Sequence, residues 1–362
     1  MGSGSAVADD VRAEQRGIRH GVRPVLLLAI ASMLVAVALV VPPAASAVGG
    51  DWIAFTRDPT GGHSFESGDE EIYAMRLDGT SVIRLTTNTC IDITPAASAD
   101  GRWLAWVQKC GSTVDILIAP ITYATTGQLT IGTATNVTAP LGYGSDRWPQ
   151  FSPDGTKLAF IRKTSGNFDI WRATFGVTGT TPTISSAVRV VRLGGSQVED
   201  CCVTWSPDGV SLVWASNVNQ SKQSFNLYRI PSTATEVWDA TSNVDRSSDG
   251  SLDVTIAAQI TRGAEYEGTP DYDADGTVLF RCNCPNPDLY RVDPITGIRL
   301  RLTTYLGLDR TPEGYPGGII YSRDDPVGSD EIYVAETSGA NPRDVTNHPY
   351  SDVNPTWIPP QA

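Results

Sequence analysis

The chain has 362 residues, with 40 acidic side chains against 27 Lys and Arg, and a net charge of −13. This negative charge argues against a nucleic-acid partner, because phosphates are bound by clustered Lys and Arg. Only three His are present, which counts against a His-rich metal site. A hydrophobic content of 41% suits a packed core, and the 34 Gly and 24 Pro favour short strands joined by frequent turns.

The first 47 residues have the pattern of an export signal. Four Arg, beginning with Arg12, precede an apolar run over residues 25–41, and Ala45-Ser46-Ala47 follows as a small-residue cleavage site. We expect residues 1–47 to be a cleaved signal peptide, and residues 48–362 to be secreted or held at the cell surface. The open alternative is an uncleaved signal anchor, which would be the only contact with a membrane.

The rest of the chain contains a repeat. The segments 95–107, 149–161 and 203–215 share a short strand, an Asp-Gly pair and a following apolar strand. Two further segments, 270–282 and 312–323, keep the Gly and the apolar strand. Gly accepts a positive φ and Asp caps the turn with its own side chain, so each unit predicts a tight hairpin in which the Asp is structural.

A third strand in each unit begins with an acid or amide, an apolar residue and usually an aromatic residue. This series occurs six times, at 71–73, 115–117, 169–171, 226–228, 288–290 and 331–333. A fourth strand ends in Arg-Leu-Thr at 84–86 and 301–303. Four antiparallel strands per unit, without helical periodicity, predict an all-β, six-bladed β-propeller.

The two ends of the repeat region complement each other. Residues 51–55 form a second strand without a first strand before it, whereas residues 352–358 form a first strand without a hairpin after it. We therefore expect the C-terminal strand to complete the first blade and close the ring.

The repeated pattern acid-x-x-Pro-x-[Trp/Phe]-Ser-Pro-Asp-Gly, followed by an apolar strand and Asp-Ile-Tyr, resembles the TolB-like (WD40-like, PD40) β-propeller repeat family. It covers nearly all of residues 51–360. The resemblance implies a propeller used either as a binding scaffold or as the propeller domain of a peptidase. TolB carries an α/β domain ahead of its propeller, whereas here the first blade follows the leader directly. Propeller peptidases carry a G-x-S-x-G motif, which this sequence lacks.

Each first strand is preceded by an acid, three residues before its Pro or the equivalent position. These six residues, called the lead acids below, are Asp92, Asp146, Asp200, Glu267, Asp309 and Asp352. First strands are innermost in a propeller, so the lead acids are expected to form a ring near one channel mouth. Such a ring would bind a basic protein or peptide, or a cation such as calcium. The alternative is that each acid caps the loop that enters its strand.

Six Cys follow the leader, which in an exported chain indicates disulfides. They are Cys90, Cys110, Cys201, Cys202, Cys282 and Cys284. Reflection about the turn at Asp100 places Cys90 opposite Cys110, so we expect that bond. The other four lie at one end of adjacent blades, where bridges between blades are expected, with a bond between Cys201 and Cys202 as the alternative.

These features predict an exported, monomeric binding or scaffold module that recognises a protein or peptide partner at a channel mouth. We assign no catalytic residue, no resident cofactor and no metal site, and expect no enzymatic activity. The alternative is a carbohydrate-active or other hydrolytic propeller that uses paired channel carboxylates.

Overall fold

The computed structural model describes residues 51–59, 68–163, 166–191, 199–218, 224–235, 237–239, 244–246, 258–284, 286–324 and 329–361. The expected signal segment, residues 1–47, lies outside these ranges. Within them, no helix is long and apolar enough to cross a membrane. Regular structure there is strand, except for one turn of 3-10 helix at Ala139–Leu141. The prediction of an all-β chain is confirmed.

The strands of the first half of the chain are β1 (Trp52–Asp58), β2 (Glu71–Arg76), β3 (Ile83–Arg84), β4 (Ile91–Ala97), β5 (Trp103–Cys110), β6 (Thr113–Tyr123), β7 (Leu129–Ile131), β8 (Thr135–Asn136), β9 (Ser145–Phe151), β10 (Lys157–Lys163), β11 (Phe168–Thr178) and β12 (Thr181–Val191). Those of the second half are β13 (Asp200–Trp205), β14 (Ser211–Ser216), β15 (Asn226–Pro231), β16 (Val237–Asp239), β17 (Val244–Arg246), β18 (Ala258–Gln259), β19 (Glu267–Tyr272), β20 (Val278–Asn283), β21 (Pro287–Val292), β22 (Arg299–Arg301), β23 (Asp309–Tyr315), β24 (Gly318–Asp324), β25 (Asp330–Ala335), β26 (Arg343–Asp344) and β27 (Ser351–Ile358).

The strands form antiparallel four-stranded meanders. Four sheets have the orders β27-β1-β2-β3, β13-β14-β15-β18, β19-β20-β21-β22 and β23-β24-β25-β26. A nine-stranded sheet contains two more such units, one built on β4 and one on β9, and a single parallel bridge between Val114 and Ser145 joins them. The C-terminal β27 pairs with the N-terminal β1, for example Ile358 with Trp52.

The turns between first and second strands are built as the repeat predicts. Ser98 Oγ and the Arg102 N–H both donate to Asp100 Oδ1, at 2.6 and 3.0 Å. Gly101 has a φ of +66°, and a Cβ there would lie 2.1 Å from the carbonyl oxygen of Pro359. Asp100 therefore fixes the turn through local hydrogen bonds, and only Gly fits beside it.

The apolar core lies between neighbouring sheets. Trp52 and Trp106, from the first two sheets in chain order, are fully buried in one cluster. Another cluster brings Ile53 and Phe55 of β1 together with Ile320 of β24, and so joins the last sheet to the first. Each large apolar side chain buried in this way contributes about 1.5–3 kcal/mol to stability.

The disulfides agree with the sequence in one case. Cys90 is bonded to Cys110, with the Cα atoms 4.8 Å apart, as predicted.

For the other four cysteines, the expected bridges between blades are wrong. Cys201 pairs with Cys202, and Cys282 pairs with Cys284. Cys202 has a φ of +60°, which breaks the strand alternation that would point neighbouring side chains to opposite faces. Cys284 lies in the bend directly after β20, with its Cα 5.2 Å from that of Cys282.

Removal of β27 tests how far the stability of the fold depends on the pairing of β27 with β1. A chain ending at residue 350 exposes Trp52 and Ile53 of β1 and loses the buried Val353 and Ile358. We expect its free energy of unfolding to fall by about 5 kcal/mol or more, as measured by urea denaturation. A chain ending at Pro360, which keeps β27, is the control. An equal midpoint for the two chains would contradict the prediction.

Candidate functional site

One residue in each first strand has a left-handed backbone. These residues, called the bulge residues below, are Thr94, Trp148, Cys202, Thr269, Thr311 and Asn354, with φ between +47° and +60°. The pairing register of each first strand with its second strand shifts at the same point. Positive φ is costly for residues other than Gly, and more so for Thr and Trp. Six repetitions of this β-bulge indicate that it is a built feature of the fold.

The bulge residues meet in one cavity. All six line a neck of about 50 Å³. Five of them also line a chamber of about 260 Å³, which contains Arg147, Arg281 and Arg310 and is called the arginine chamber. On the other side the neck shares Gln150, Asp271 and Glu313 with a chamber of about 340 Å³. This second space is called the aromatic chamber, from its rings Phe151, Trp205, Tyr272, Tyr315 and Trp357.

The six lead acids lie outside the linings of these spaces. Each is at most 1% exposed, so solvent does not reach its carboxylate. In the strand pairing each lead acid stands opposite one residue of the neighbouring second strand. The pairs are Asp92 with Gln108, Asp146 with Arg162, Asp200 with Ser216, Glu267 with Cys282, Asp309 with Arg323 and Asp352 with Arg57. The carboxylates are therefore engaged within their own sheets. The binding ring stays a prediction, and it would require these buried groups to become accessible.

Three lead acids are held by the Arg directly opposite. Arg323 donates to both oxygens of Asp309, at 2.6 and 2.9 Å, and Arg57 donates to both oxygens of Asp352, at 2.8 Å each. The third pair is Arg162 with Asp146, at 3.0 Å.

The other three lead acids have different partners. Asp92 accepts hydrogen bonds from Trp106 Nε1 at 3.1 Å and from Gln108 Nε2 at 2.9 Å. Asp200 accepts one from Trp214 Nε1 at 3.1 Å, and burial raises the pKa of its carboxyl well above the usual value. The third, Glu267, forms an ion pair with Arg299 of β22. These contacts bind the first strand to the rest of its sheet. Asp92 also accepts a hydrogen bond at 2.5 Å from Asn88 Nδ2, in the loop that enters its strand.

Two acids that the sequence analysis did not select face the neck and the aromatic chamber. Asp271 and Glu313 each follow a lead acid by four residues, beyond the bulge. Asp271 accepts hydrogen bonds from Thr204 Oγ1 at 3.0 Å and from the Gly314 N–H at 3.1 Å. Glu313 Oε1 accepts the Trp357 N–H at 2.7 Å. The sequence feature that could have selected both acids is their common position, four residues after a lead acid.

The environment of this pair raises the pKa of both carboxyl groups. Burial raises the pKa of Asp271 to about 6, although hydrogen bonds from Gly314 and Thr204 oppose the rise. Burial and then the charge of Asp271 raise the pKa of Glu313 well above its usual value. Two carboxylates this close repel each other when both are ionised, so the site favours a cationic group beside them.

Two other groups of ligand-type side chains are occupied by internal contacts. Glu331, His348 and Asp352 lie together, but the Tyr350 N–H donates to His348 Nδ1 at 3.0 Å. The other ring nitrogen, Nε2, lies 3.0 Å from Asp352 Oδ2. The second group combines Glu267 with Cys282 and Cys284, whose sulfurs are paired with each other.

The buried Asp309–Arg323 pair can be tested by a double-mutant cycle. Asp309→Asn leaves the Arg323 guanidinium buried without its counter-charge, so the free energy of unfolding should fall by about 3–5 kcal/mol. Arg323→Met added to Asp309→Asn should restore part of this loss, since the unpaired charge is gone. Urea denaturation measures both, with the exposed Glu265→Gln as the control. If the double variant lost as much stability as Asp309→Asn and Arg323→Met lose separately in sum, the Asp309–Arg323 interaction would be contradicted.

Asp271 should make stability depend on pH. Its pKa is about 6 in the folded protein against 3.8 ordinarily, so its contribution is complete below about pH 4 and is lost as pH rises through 6. Asp271→Asn should reduce the change in the free energy of unfolding between pH 4 and 6. It should also raise the free energy of unfolding at pH 7 by on the order of 1 kcal/mol.

Urea denaturation at pH 4, 5, 6 and 7 measures this dependence. Asp208→Asn is the control of opposite sign, because a hydrogen bond from Ser206 lowers the pKa of Asp208. Parallel pH profiles for Asp271→Asn and the unmodified chain would refute the prediction.

No family model matches the chain. Over 55 residues it is 40% identical to the "Tol-Pal system protein TolB" of Desulfosudis oleivorans. That segment is 15% of this chain and 13% of the relative, so the match spans a small part of the relative's length.

Solved structures of low sequence identity share the fold over most of the chain. TolB from Acinetobacter baumannii has a TM-score of 0.60 at 19% identity, over 86% of this chain and 67% of that one. The putative TolB from Agrobacterium tumefaciens has a TM-score of 0.52 at 15% identity, over 86% of this chain and 99% of that one. The chain is therefore similar to TolB in its repeat and in the matched segment, and it shares the β-propeller fold of the TolB structures.

Proposed function

We propose that residues 48–362 form a six-bladed propeller, closed by β27 beside β1, that works outside the cytoplasm as a monomeric module binding a protein or peptide. Closure is supported by the first strands, which contact one another in the cyclic order β4, β9, β13, β19, β23, β27 and back to β4. Export is supported by the signal pattern in residues 1–47 and by the even number of Cys.

The observation that carries the binding role is the composition of the aromatic chamber. It brings two acids, Asp271 and Glu313, together with aromatic rings that include Trp205, Tyr315 and Trp357. Trp and Tyr are the residues that most often dominate binding energy at interfaces. A Lys or Arg inserted here gains cation–π contact and the charge of the carboxylates. The expected ligand is therefore a basic segment of a protein partner.

The location of the acidic site differs from the one that the sequence suggested. The lead acids are engaged within their sheets, whereas Asp271 and Glu313 line the cavity. A pair of carboxylates does not by itself favour the hydrolytic alternative over binding. The relative's name refers to the Tol-Pal system, and for the present chain we propose only that the partner is a protein or peptide.

Capture by the mature chain tests the proposal. Residues 48–362 are immobilised and exposed to the cell-envelope proteins of the source organism, and the retained protein is then purified and titrated against the chain. The double variant Asp271→Asn/Glu313→Gln should weaken binding at least tenfold at pH 7. Binding to the unmodified chain should tighten between pH 5 and 7, because Asp271, with a pKa of about 6, becomes ionised.

The matched control is Glu199→Gln/Glu265→Gln, which replaces two carboxyl groups by amides at exposed positions. Equal weakening by both double variants would point to net charge rather than to the aromatic chamber. Failure to retain any protein, or release of a hydrolysed product, would overturn the binding role.

A further inference from the structure

Three arginines from three sheets converge on the arginine chamber. Arg147 lies on β9, Arg281 on β20 and Arg310 on β23, and all three line the same space of about 260 Å³. A convergence of cations is unusual in a chain whose net charge is −13. It therefore does not follow from a generally basic surface.

The bulges explain how these side chains reach the chamber. Arg147 and Arg310 each follow a lead acid by one residue, directly before a bulge residue. In β19 this position is Gly268, which has no side chain to fill the space. Arg281 stands opposite Gly268 in the strand pairing and occupies the chamber in its place.

Two of the three guanidinium groups, those of Arg310 and Arg281, have incomplete partners among the described residues. Arg310 forms an ion pair with Asp330 at 3.0 Å, but its buried Nε has no hydrogen-bond acceptor among the described residues. Arg281 donates from Nε to the neutral amide oxygen of Asn283 at 3.1 Å. Burial lowers the pKa of the Arg281 guanidinium, and the charge of Arg310 adds to this, although Tyr266 and the charge of Asp330 oppose it. Buried guanidinium groups with unfilled hydrogen-bond donors are stabilised when an anion binds beside them.

The rest of the lining shows which kind of anion fits. Ile93, Val107 and Trp148 give the chamber an apolar wall, and Thr94 contributes a buried hydroxyl without a hydrogen-bond partner in the described structure. An inorganic anion would leave the apolar wall in contact with water. An organic carboxylate with an apolar group uses both parts of the lining, since carboxylates match the guanidinium fork and apolar groups gain from burial.

We propose that the arginine chamber is a second binding site, separate from the aromatic chamber, which takes an organic carboxylate carrying an apolar group. The ligand is either a small carboxylic acid or the free C-terminal carboxylate of a peptide, and both present the same chemistry. The arginines hold the carboxylate, and the wall formed by Ile93, Val107 and Trp148 holds the apolar group.

Calorimetric titration of the mature chain tests this site with defined probes. The probes are N-acetylphenylalanine, its uncharged amide, the tripeptide Gly-Gly-Phe with a free C-terminus, and inorganic phosphate. We expect the free carboxylates to bind at least tenfold more tightly than the amide and than phosphate. Equal binding of the acid and the amide, or tighter binding of phosphate, would overturn the proposal. Binding of the tripeptide alone identifies a chain terminus, and equal binding of both acids identifies a small acid.

Single substitutions locate the site. Arg147→Gln and Arg281→Gln should each raise the dissociation constant for N-acetylphenylalanine about tenfold. Arg102→Gln is the matched control, because its side chain is 62% exposed and lies at an Asp-Gly turn outside the chamber. If Arg281→Gln unfolds the chain, as circular dichroism would show, Arg147→Gln carries the test. Unchanged affinity in a folded Arg147→Gln variant would refute the assignment.

The two sites can fail separately. Asp271→Asn/Glu313→Gln should leave binding of N-acetylphenylalanine unchanged, and Arg147→Gln should leave binding of the captured protein unchanged. Loss of carboxylate binding with an intact protein partner would overturn only the arginine site. The reverse result would overturn only the proposed function.

Discussion

The β-bulge in each first strand determines which side chains face the cavity. In a regular strand alternate residues share a face, so the residues one and two positions after a lead acid would point in opposite directions. The left-handed residue breaks this alternation. Arg147 and Trp148, which are consecutive, therefore line the same chamber, and Gln150 follows in the neck. The same shift directs Arg310, Thr311 and Glu313 inward on β23.

This arrangement separates two sets of charges. The lead acids come before the bulge and lie against the second strand, where buried ionised groups need close partners. Asp309 and Asp352 find them in Arg323 and Arg57. Arg147 and Arg310, directly before a bulge residue, and Asp271 and Glu313, beyond one, stand opposite uncharged residues and present their charges to the cavity. One chamber is consequently lined with guanidinium groups and the other with carboxylates, although the chain as a whole is acidic.

The repeat, the turns and the strand pairing could be predicted because residue types mark them. Residues at equal distances before and after the turn at Asp100 lie opposite each other, which pairs Cys90 with Cys110 and also Asp92 with Gln108. The partners of the lead acids could therefore be predicted from the sequence in the same way. The bulges could not, because Thr, Trp and Asn do not signal a positive φ in the way that Gly does. Without the bulges, the side chains that line the cavity, such as Asp271 and Glu313, cannot be selected from the sequence. The bond between Cys201 and Cys202, which the sequence offered only as the alternative, also depends on a bulge, because Cys202 is the left-handed residue of its strand.

The two chambers are built on the same strands. The arginine chamber and the aromatic chamber lie on opposite sides of the neck, whose volume is about 50 Å³. On β23, Arg310 lines one chamber and Glu313 lines the other, and the bulge residue Thr311 comes between them. Because the left-handed backbone at Thr311 interrupts the alternation of the strand, residues before and after it both face the cavity. One short strand therefore supplies a cation to one chamber and an acid to the other.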